Sequence, residues 1–312
     1  YLILSLGSAH GFRTLTTRTV DPLPSWEETA TKSSILDFIR NASDPSHPDF
    51  IPQAERIAAI DLDGTLMVEQ PRYAQVELAL EILRDQARAD RNLQDMQPWK
   101  AARQNDYTYV REHTAEVLLK AIEGMSLREY REHALRFLRS KQHERFGVPF
   151  SATLYEPMIE LIEALRSGGF AVYLISGSKT EFLRALREEV LSDFSSRDLI
   201  GTRVAIEFDP SGPIFTQSGY FQDPDSWLTG KAEKLRESIG RGPVFVAGNG
   251  MIDYELLAYA DSSPRKGFCL VINHDDDSRE YAYTDEELLQ IARERGWTIV
   301  SMEDDWRKVL AD

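Results

Sequence analysis

Short apolar segments alternate with amphipathic helical segments along most of the chain, and this alternation limits the fold more than any other feature. Apolar runs at residues 171–175, 244–247 and 267–274 are each followed by a segment whose apolar residues recur at three- and four-residue spacing, the pattern of a helix packed on one face. Strands that alternate with helices in this way form a parallel sheet covered on both faces. We therefore predict an α/β protein with a doubly wound, mainly parallel sheet.

One segment departs from the alternation. From residue 73 to about residue 144 the spacing of apolar residues is helical throughout, and no strand pattern interrupts it. We predict an inserted all-helical domain over residues 73–144, with the sheet and its helices built from residues 26–72 and 145–312. Two short apolar segments, 202–209 and 212–219, are predicted to form a hairpin.

Residues 1–25 are left outside the predicted domains. The chain starts at Tyr1 rather than Met, so we expect a processed or truncated product. The stretch YLILSLGSAHG fits the end of a signal peptide, with the small residues Gly7 and Ala9 near a cleavage site, and fits equally a short apolar strand or a tail. The first interpretation predicts an exported or periplasmic protein, and the others a cytoplasmic one.

Composition excludes several classes of partner. The chain of 312 residues has 36 basic and 51 acidic residues and a net charge of −15, so we expect neither nucleic acid nor an anionic membrane as a partner. No run of about 18 apolar residues occurs, so we expect no membrane span. The single cysteine, Cys269, lies in an apolar run and is predicted to be a small buried residue.

Two acidic residues stand at the end of the first predicted strand, residues 56–60. Asp61 and Asp63 are two positions apart, so their carboxylates can converge on one spot. Two like charges at one place repel, which calls for a positive group, a shared proton or a divalent cation. A plain acidic turn is the alternative. A calcium-binding EF-hand loop is excluded, because Leu66 and Arg72 occupy its glycine and glutamate positions.

Polar residues also follow the next two predicted strands. Ser176, Gly177 and Ser178 follow residues 171–175, and the stretch from Gly248 to Asp253 follows residues 244–247. Ligands of parallel sheets bind beyond the carboxyl ends of the strands, and glycine turns and helix N-termini there bind phosphate. The sequence therefore predicts a phosphate site at this edge of the sheet.

Three further residues are predicted to join this site. Lys231 lies near the start of a helix. Asn249 or Asp253 can hold a hard cation together with Asp61 and Asp63.

Each of these motifs has a simpler interpretation. The Ser-Gly-Ser segment alone is typical of a plain turn, and Lys231 alone is typical of a solvated helix lysine. The segment HDDDSRE, residues 274–280, has the composition of a metal site, but we predict a solvated acidic turn there.

Taken together, DLDGT, SGS, the lysine at a helix start and GNGMID resemble, in order, the four motifs of the haloacid dehalogenase superfamily in its phosphatase branch. The resemblance runs from about residue 56 to residue 253. It implies a Rossmann-like core, and the inserted helices resemble the cap of the phosphoserine-phosphatase-like subgroup. Flanking segments resemble bacterial, often exported, members near phosphorylcholine phosphatase.

This resemblance implies a role for each motif residue. Asp61 would attack phosphorus and form an aspartyl phosphate. Asp63 would protonate the leaving alcohol and then activate water. Lys231 would neutralise charge on the phosphate and the nucleophile. The phosphate oxygens would be bound by Thr65, Ser176 and Gly177.

The resemblance also implies a Mg²⁺ site on Asp61, the backbone carbonyl of Asp63 and a residue of the fourth motif. Many relatives carry aspartate where this chain has Asn249, and Asp253 is the other candidate ligand. The predicted function is a Mg²⁺-dependent phosphomonoesterase acting on a small phosphorylated metabolite. A phosphotransferase or phosphomutase, and a non-catalytic module that binds phosphorylated ligands, remain as alternatives.

Overall fold

The computed structural model describes residues 21–212, 214–222 and 230–311. The predicted signal remnant or tail falls mostly on residues 1–20, which include Gly7 and Ala9 and lie outside the described residues. Within the described part, no helix is both long and apolar enough to cross a membrane.

Among the described residues, the main sheet has six strands: β1 (Ile57–Asp61), β2 (Ala171–Lys179), β3 (Leu199–Thr202), β6 (Phe245–Gly248), β7 (Phe268–Asn273) and β8 (Thr298–Ser301). They lie in the order β3-β2-β1-β6-β7-β8, and every neighbouring pair is parallel. This confirms the predicted α/β class. All six carboxyl ends therefore lie along one edge of the sheet.

Helices connect the strands and cover the sheet. The α-helices of the described residues are α1 (Ala30–Ser43), α2 (Ala74–Ala89), α3 (Trp99–Gln104), α4 (Tyr107–Glu112), α5 (Thr114–Lys120), α6 (Leu127–Ser140), α7 (Glu156–Ser167), α8 (Thr180–Glu189), α9 (Lys231–Ile239), α10 (Tyr254–Asp261), α11 (Glu286–Arg295) and α12 (Met302–Asp305).

Successive residues of β1 point into two different cores, as the pleat of a strand requires. Ala58 and Ile60 belong to the larger apolar cluster, which includes side chains of α1 and α7. Ala59 belongs to a second cluster with side chains of α9, α10 and α11. Each fully buried large apolar side chain contributes about 1.5–3 kcal/mol. The sheet is thus covered on both faces, and the carboxyl ends of its strands are held between two packed layers.

Residues 73–144 contain α2 to α6 and no strand, in line with the helical periodicity of this segment. Helix α6 begins with a capping box in which the Ser126 side chain and Glu129 satisfy each other's backbone N–H groups. It packs against α8, and the exposed pairs Arg131–Glu188 and Arg139–Glu189 lie along this contact. The division of the chain into a core and a separate cap stays a prediction.

The predicted hairpin is present as the antiparallel pair β4 (Val204–Asp209) and β5 (Ile214–Phe221). Its β5 strand is joined to the inserted helices by two backbone hydrogen bonds, from Gly124 N–H to the Gln217 carbonyl and from Gln217 N–H to the Met125 carbonyl. The hairpin is therefore attached to the insert as well as to the sheet.

Candidate active site

The sheet brings the predicted motifs together because β1 lies between β2 and β6. Asp61 is the last residue of β1, opposite Ile175 of β2, and Gly248 ends β6 on the other side. The three loops that follow these strands therefore share one edge. Lys231, the first residue of α9, reaches into the same place with its side chain.

Lys231 lies between two carboxylates and is only 3% exposed. Its Nζ is 2.7 Å from Asp61 Oδ1 and 2.6 Å from Asp253 Oδ1. Burial disfavours the ammonium group, but the charges of Asp253 and Asp61 outweigh this effect and raise the pKa of Lys231. Burial and the charge of Asp253 raise the pKa of Asp61, and the Lys231 ammonium opposes that rise. The interpretation of Lys231 as a solvated helix lysine is wrong.

Asp63 faces the Ser-Gly-Ser loop. Its Oδ2 accepts hydrogen bonds from Ser176 Oγ (3.2 Å) and Ser178 Oγ (3.0 Å). Its Oδ1 is buried and has no hydrogen-bond partner among the described residues. Burial raises the pKa of Asp63, which favours the protonated acid. A carboxyl group of raised pKa is suited to donating a proton near neutral pH.

The two polar side chains of the loop after β6, Asn249 and Asp253, make different contacts. Asn249 lines the cavity, where its Oδ1 accepts from Thr65 Oγ1 (3.1 Å) and its Nδ2 donates to Glu69 Oε1 (3.0 Å). Asp253 is fully buried, and its Oδ2 accepts from the backbone N–H groups of Asn249 (3.0 Å) and Gly250 (3.3 Å). Since its Oδ1 faces Lys231, both oxygens of Asp253 already have partners.

Gly64 shows how closely these loops approach. Its φ is +75°, and a Cβ at this position would lie 2.1 Å from Asn249 Nδ2. Both the left-handed backbone and the lack of space require glycine. The loop after β1 can thus lie directly against Asn249.

The residues present fit a hard divalent cation. The described residues contain no group of three or more histidine, cysteine or acidic side chains that could hold a metal ion by themselves. They do provide oxygen donors of the type that Mg²⁺ prefers, on Asp61, Asp63 and Asn249, with water able to complete the shell. The Oδ1 of Asp63 has no partner among the described residues, and Lys231 faces two carboxylates, which is consistent with a need for further positive charge.

A cavity of about 500 Å³ opens at this edge of the sheet. The motif residues Asp61, Asp63, Gly177, Lys231 and Asn249 line it, whereas Thr65, Ser176 and Asp253 are not among the lining residues. Side chains that were not predicted to belong to the site also line it: Glu69, Tyr73, Gln75, His274 and Tyr283. His274 directly follows β7, so the rule that ligands bind beyond strand ends could have found it. Glu69 lies within the loop that follows Asp63, and no local pattern distinguishes it.

The expectation of a solvated acidic turn at residues 274–280 is wrong. His274 is 1% exposed, Asp276 3% and Glu280 0%. His274 Nδ1 lies 3.2 Å from Glu280 Oε2, and Asp276 pairs with Arg279, so each of these buried polar side chains has a partner. Cys269 is buried and free, as predicted.

Comparison with known proteins gives a family and a fold. The family model of haloacid dehalogenase-like hydrolases matches residues 58–262. A conserved, functionally unknown protein from Anaerococcus prevotii DSM 20548 superposes with a TM-score of 0.56 at 13% identity, over 89% of this chain and 92% of that one, which supports the fold.

Weaker structural matches include a phosphoserine phosphohydrolase-like protein from Francisella tularensis subsp. tularensis SCHU S4, with a TM-score of 0.42 at 14% identity over 81% of this chain and 95% of that one. A probable phosphoserine phosphatase from Vibrio cholerae matches with a TM-score of 0.42 at 14% identity over 84% of this chain and 64% of that one. A search of curated proteins found no match.

Proposed function

The chain belongs to the haloacid dehalogenase-like hydrolase family, and we propose that it is a Mg²⁺-dependent phosphomonoesterase that acts on a small phosphorylated metabolite. The observation that carries this proposal is the pair of carboxylates at the end of β1 in two different environments. Asp61 contacts the Lys231 ammonium, whereas Asp63 accepts hydrogen bonds from the hydroxyl groups of Ser176 and Ser178, and its other oxygen has no partner within the described part of the chain. One carboxylate is thus suited to attack and the other to proton transfer.

In the first step, Asp61 attacks phosphorus, a bond forms between its carboxylate oxygen and phosphorus, and the bond to the leaving alcohol breaks. Asp63 donates a proton to the departing oxygen. In the second step, Asp63 accepts a proton from water, which attacks phosphorus and releases inorganic phosphate and Asp61. The proton balance of the cycle is closed, since Asp63 gives one proton and takes one back.

Lys231 would stabilise the charge that develops on the phosphoryl oxygens. Thr65, Ser176 and Gly177 are proposed to bind those oxygens. In the free protein the Thr65 hydroxyl donates to Asn249 and the Ser176 hydroxyl to Asp63. Each hydroxyl is therefore already directed at a residue of the site.

Asp61, the backbone carbonyl of Asp63 and the Asn249 side chain would hold Mg²⁺, with Asp253 as the other candidate ligand. The cation would neutralise phosphate charge when bound. Because both oxygens of Asp253 have partners, we assign it the task of orienting Lys231 and the 249–250 backbone. Residues 73–144 are proposed to be a cap, a view supported by Tyr73 and Thr114, which line the cavity from that segment.

The test is hydrolysis of p-nitrophenyl phosphate by the purified protein with and without Mg²⁺. We expect turnover that EDTA suppresses and added Mg²⁺ restores. Asp61→Asn should have essentially no turnover, since the nucleophile is gone. Full activity after exhaustive metal removal, or wild-type turnover by Asp61→Asn, would contradict the proposal.

A further inference from the structure

The segment that follows β7 reaches the loop of the nucleophile from the opposite end of the chain. His274 Nε2 lies 2.7 Å from the carbonyl oxygen of Gly64, which stands between Asp63 and Thr65. A carbonyl oxygen only accepts, so Nε2 carries the proton of this hydrogen bond. A buried imidazole is thus fastened to the backbone turn that lies between two site residues.

The imidazole is also held at its second nitrogen and on one ring face. Its Nδ1 lies 3.2 Å from Glu280 Oε2, and the Tyr283 ring stacks on it with centroids 4.2 Å apart. Glu280 is fully buried, and its Oε1 accepts from the Tyr155 hydroxyl at 3.4 Å. A buried carboxylate is tolerated only when it is paired in this way. Glu280 therefore sets the orientation of His274, and through it the distance to Gly64.

Tyr283 brings the same network close to the loop after β6. Its hydroxyl lies 3.0 Å from His274 Nε2, and its side chain lines the cavity together with Glu69 and Asn249. Glu69 Oε1 accepts from Asn249 Nδ2 at 3.0 Å. The loops that carry Gly64 and Asn249 therefore meet beside His274 and Tyr283.

The rest of the segment anchors this network to the protein body. Arg279 is hydrogen-bonded to the Asp276 side chain and donates to the backbone carbonyls of Met302 and Trp306, each at 2.6 Å. Tyr283 N–H donates to the His274 carbonyl at 2.9 Å. The segment that carries His274 is therefore tied by hydrogen bonds to residues 302–306.

We infer that His274, oriented by Glu280, is a positioning residue that holds the Asp61–Thr65 loop in its reactive geometry. The inference rests on the proposed function for its catalytic consequence. The loop contains the proposed nucleophile, the proton donor and a phosphate-binding hydroxyl. A displacement of about 1 Å in such a group costs on the order of 10²-fold in rate.

The test compares His274→Leu, which removes the donor, with His274→Gln, whose amide can still donate to the Gly64 carbonyl. We expect kcat for p-nitrophenyl phosphate to fall about 10²-fold in His274→Leu with little change in KM, and to recover largely in His274→Gln. Glu280→Gln should lose less than His274→Leu, since it loosens the imidazole without removing it. Asp277→Asn is the matched control, because Asp277 lies in the same segment with its side chain 85% exposed.

Hydrogen–deuterium exchange of residues 62–68 provides a readout that does not depend on turnover. Exchange there should be faster in His274→Leu than in the wild type and Asp277→Asn, and close to wild type in His274→Gln. Equal kcat in the leucine and glutamine variants, or unchanged exchange in His274→Leu, would overturn the inference. If the wild type has no phosphatase activity, the proposed function is wrong. The exchange comparison would still test whether His274 positions the loop.

Discussion

Two lysines are buried to the same extent at the carboxyl edge of the sheet, yet their surroundings are opposite. Lys231 and Lys179 are each 3% exposed. Lys231 lies between the carboxylates of Asp61 and Asp253. Lys179, at the end of β2, has its Nζ 4.5 Å from the ring centroid of Tyr130 and no salt-bridge partner among the described residues. One region compensates its buried charges, and the other leaves a single charge against an aromatic ring.

The two pKa shifts follow from this difference. Burial lowers the pKa of Lys179 to about 7, whereas the neighbouring carboxylates raise that of Lys231 in spite of burial. Burial alone therefore favours the neutral form of a lysine, whereas neighbouring carboxylates favour its charged form. The comparison suggests that the charges around Lys231 are maintained for chemistry, since a site built only for stability would need none of them.

Lys231→Met should have the largest effect. It would leave the carboxylates of Asp61 and Asp253 buried without their cation, so we expect the free energy of unfolding to fall by about 3–5 kcal/mol and turnover to be lost. Urea denaturation followed by circular dichroism measures the first, and the p-nitrophenyl phosphate assay the second. Lys179→Met is the control of equal size and burial. Wild-type stability in Lys231→Met would show that the ion pairs are not compensating one another.

Asp63→Asn separates proton transfer from charge compensation, because it leaves Lys231 and both of its partners in place. We expect kcat to fall by about 10²–10⁴-fold, with the greatest loss for alkyl phosphates, whose leaving groups need the proton most. The urea midpoint should change little by comparison. If Asp63→Asn hydrolyses an alkyl phosphate at the wild-type rate, another group supplies the proton.

The loop after β6 allows a finer test with Mg²⁺ titrations of the rate. Asp253→Asn should raise the half-saturating Mg²⁺ concentration by about 10-fold or more, because it releases Lys231 and the 249–250 backbone. Asn249→Asp should stay active and lower that concentration, since a carboxylate attracts Mg²⁺ more strongly than an amide. An unchanged half-saturation in Asp253→Asn, with a lowered urea midpoint, would leave Asp253 a purely structural residue.

The smallest effect is expected at Lys179 and depends on pH. The folded protein releases this proton near pH 7, while the unfolded chain holds it to about pH 10, so the unfolded state binds more protons between these values and stability rises with pH there. Lys179→Met should therefore be more stable than the wild type at pH 6, by on the order of 1 kcal/mol or more, and the gain should shrink by pH 9. Urea midpoints of both proteins at the two pH values check this. A gain that is independent of pH would point to packing rather than charge.

Much of the fold could be predicted because strand and helix periodicities are local properties of the sequence. The end of β2 could not be predicted in this way. The predicted strand stops at Ile175, but pairing resumes after an irregularity, with Lys179 opposite Thr202 of β3. Two serines and a glycine carry no strand pattern, so only the neighbouring strand reveals that β2 continues.

In the site, too, some residues could be predicted from the sequence and others could not. Asp61 and Asp63 stand at a strand end and were predictable from spacing, and their convergence with Ser176 follows from parallel strands. Glu69 and His274 gain their roles from partners 180 and 210 positions away, Asn249 and Gly64. No local pattern encodes such contacts. The sequence alone does not distinguish a solvated acidic turn from a buried, hydrogen-bonded segment of the same composition.

These long separations also place the site in time. Thr65 and Asn249 are 184 positions apart, and Gly64 and His274 are 210 apart. A ribosome adds roughly 5–20 residues per second, so about 10–40 s separate the synthesis of Gly64 from that of His274. For the first part of that interval the growing chain carries Asp61 and Asp63 without Lys231 and Asn249, and for all of it without His274. The contacts that arrange the two carboxylates can therefore form only after most of the chain has been synthesised.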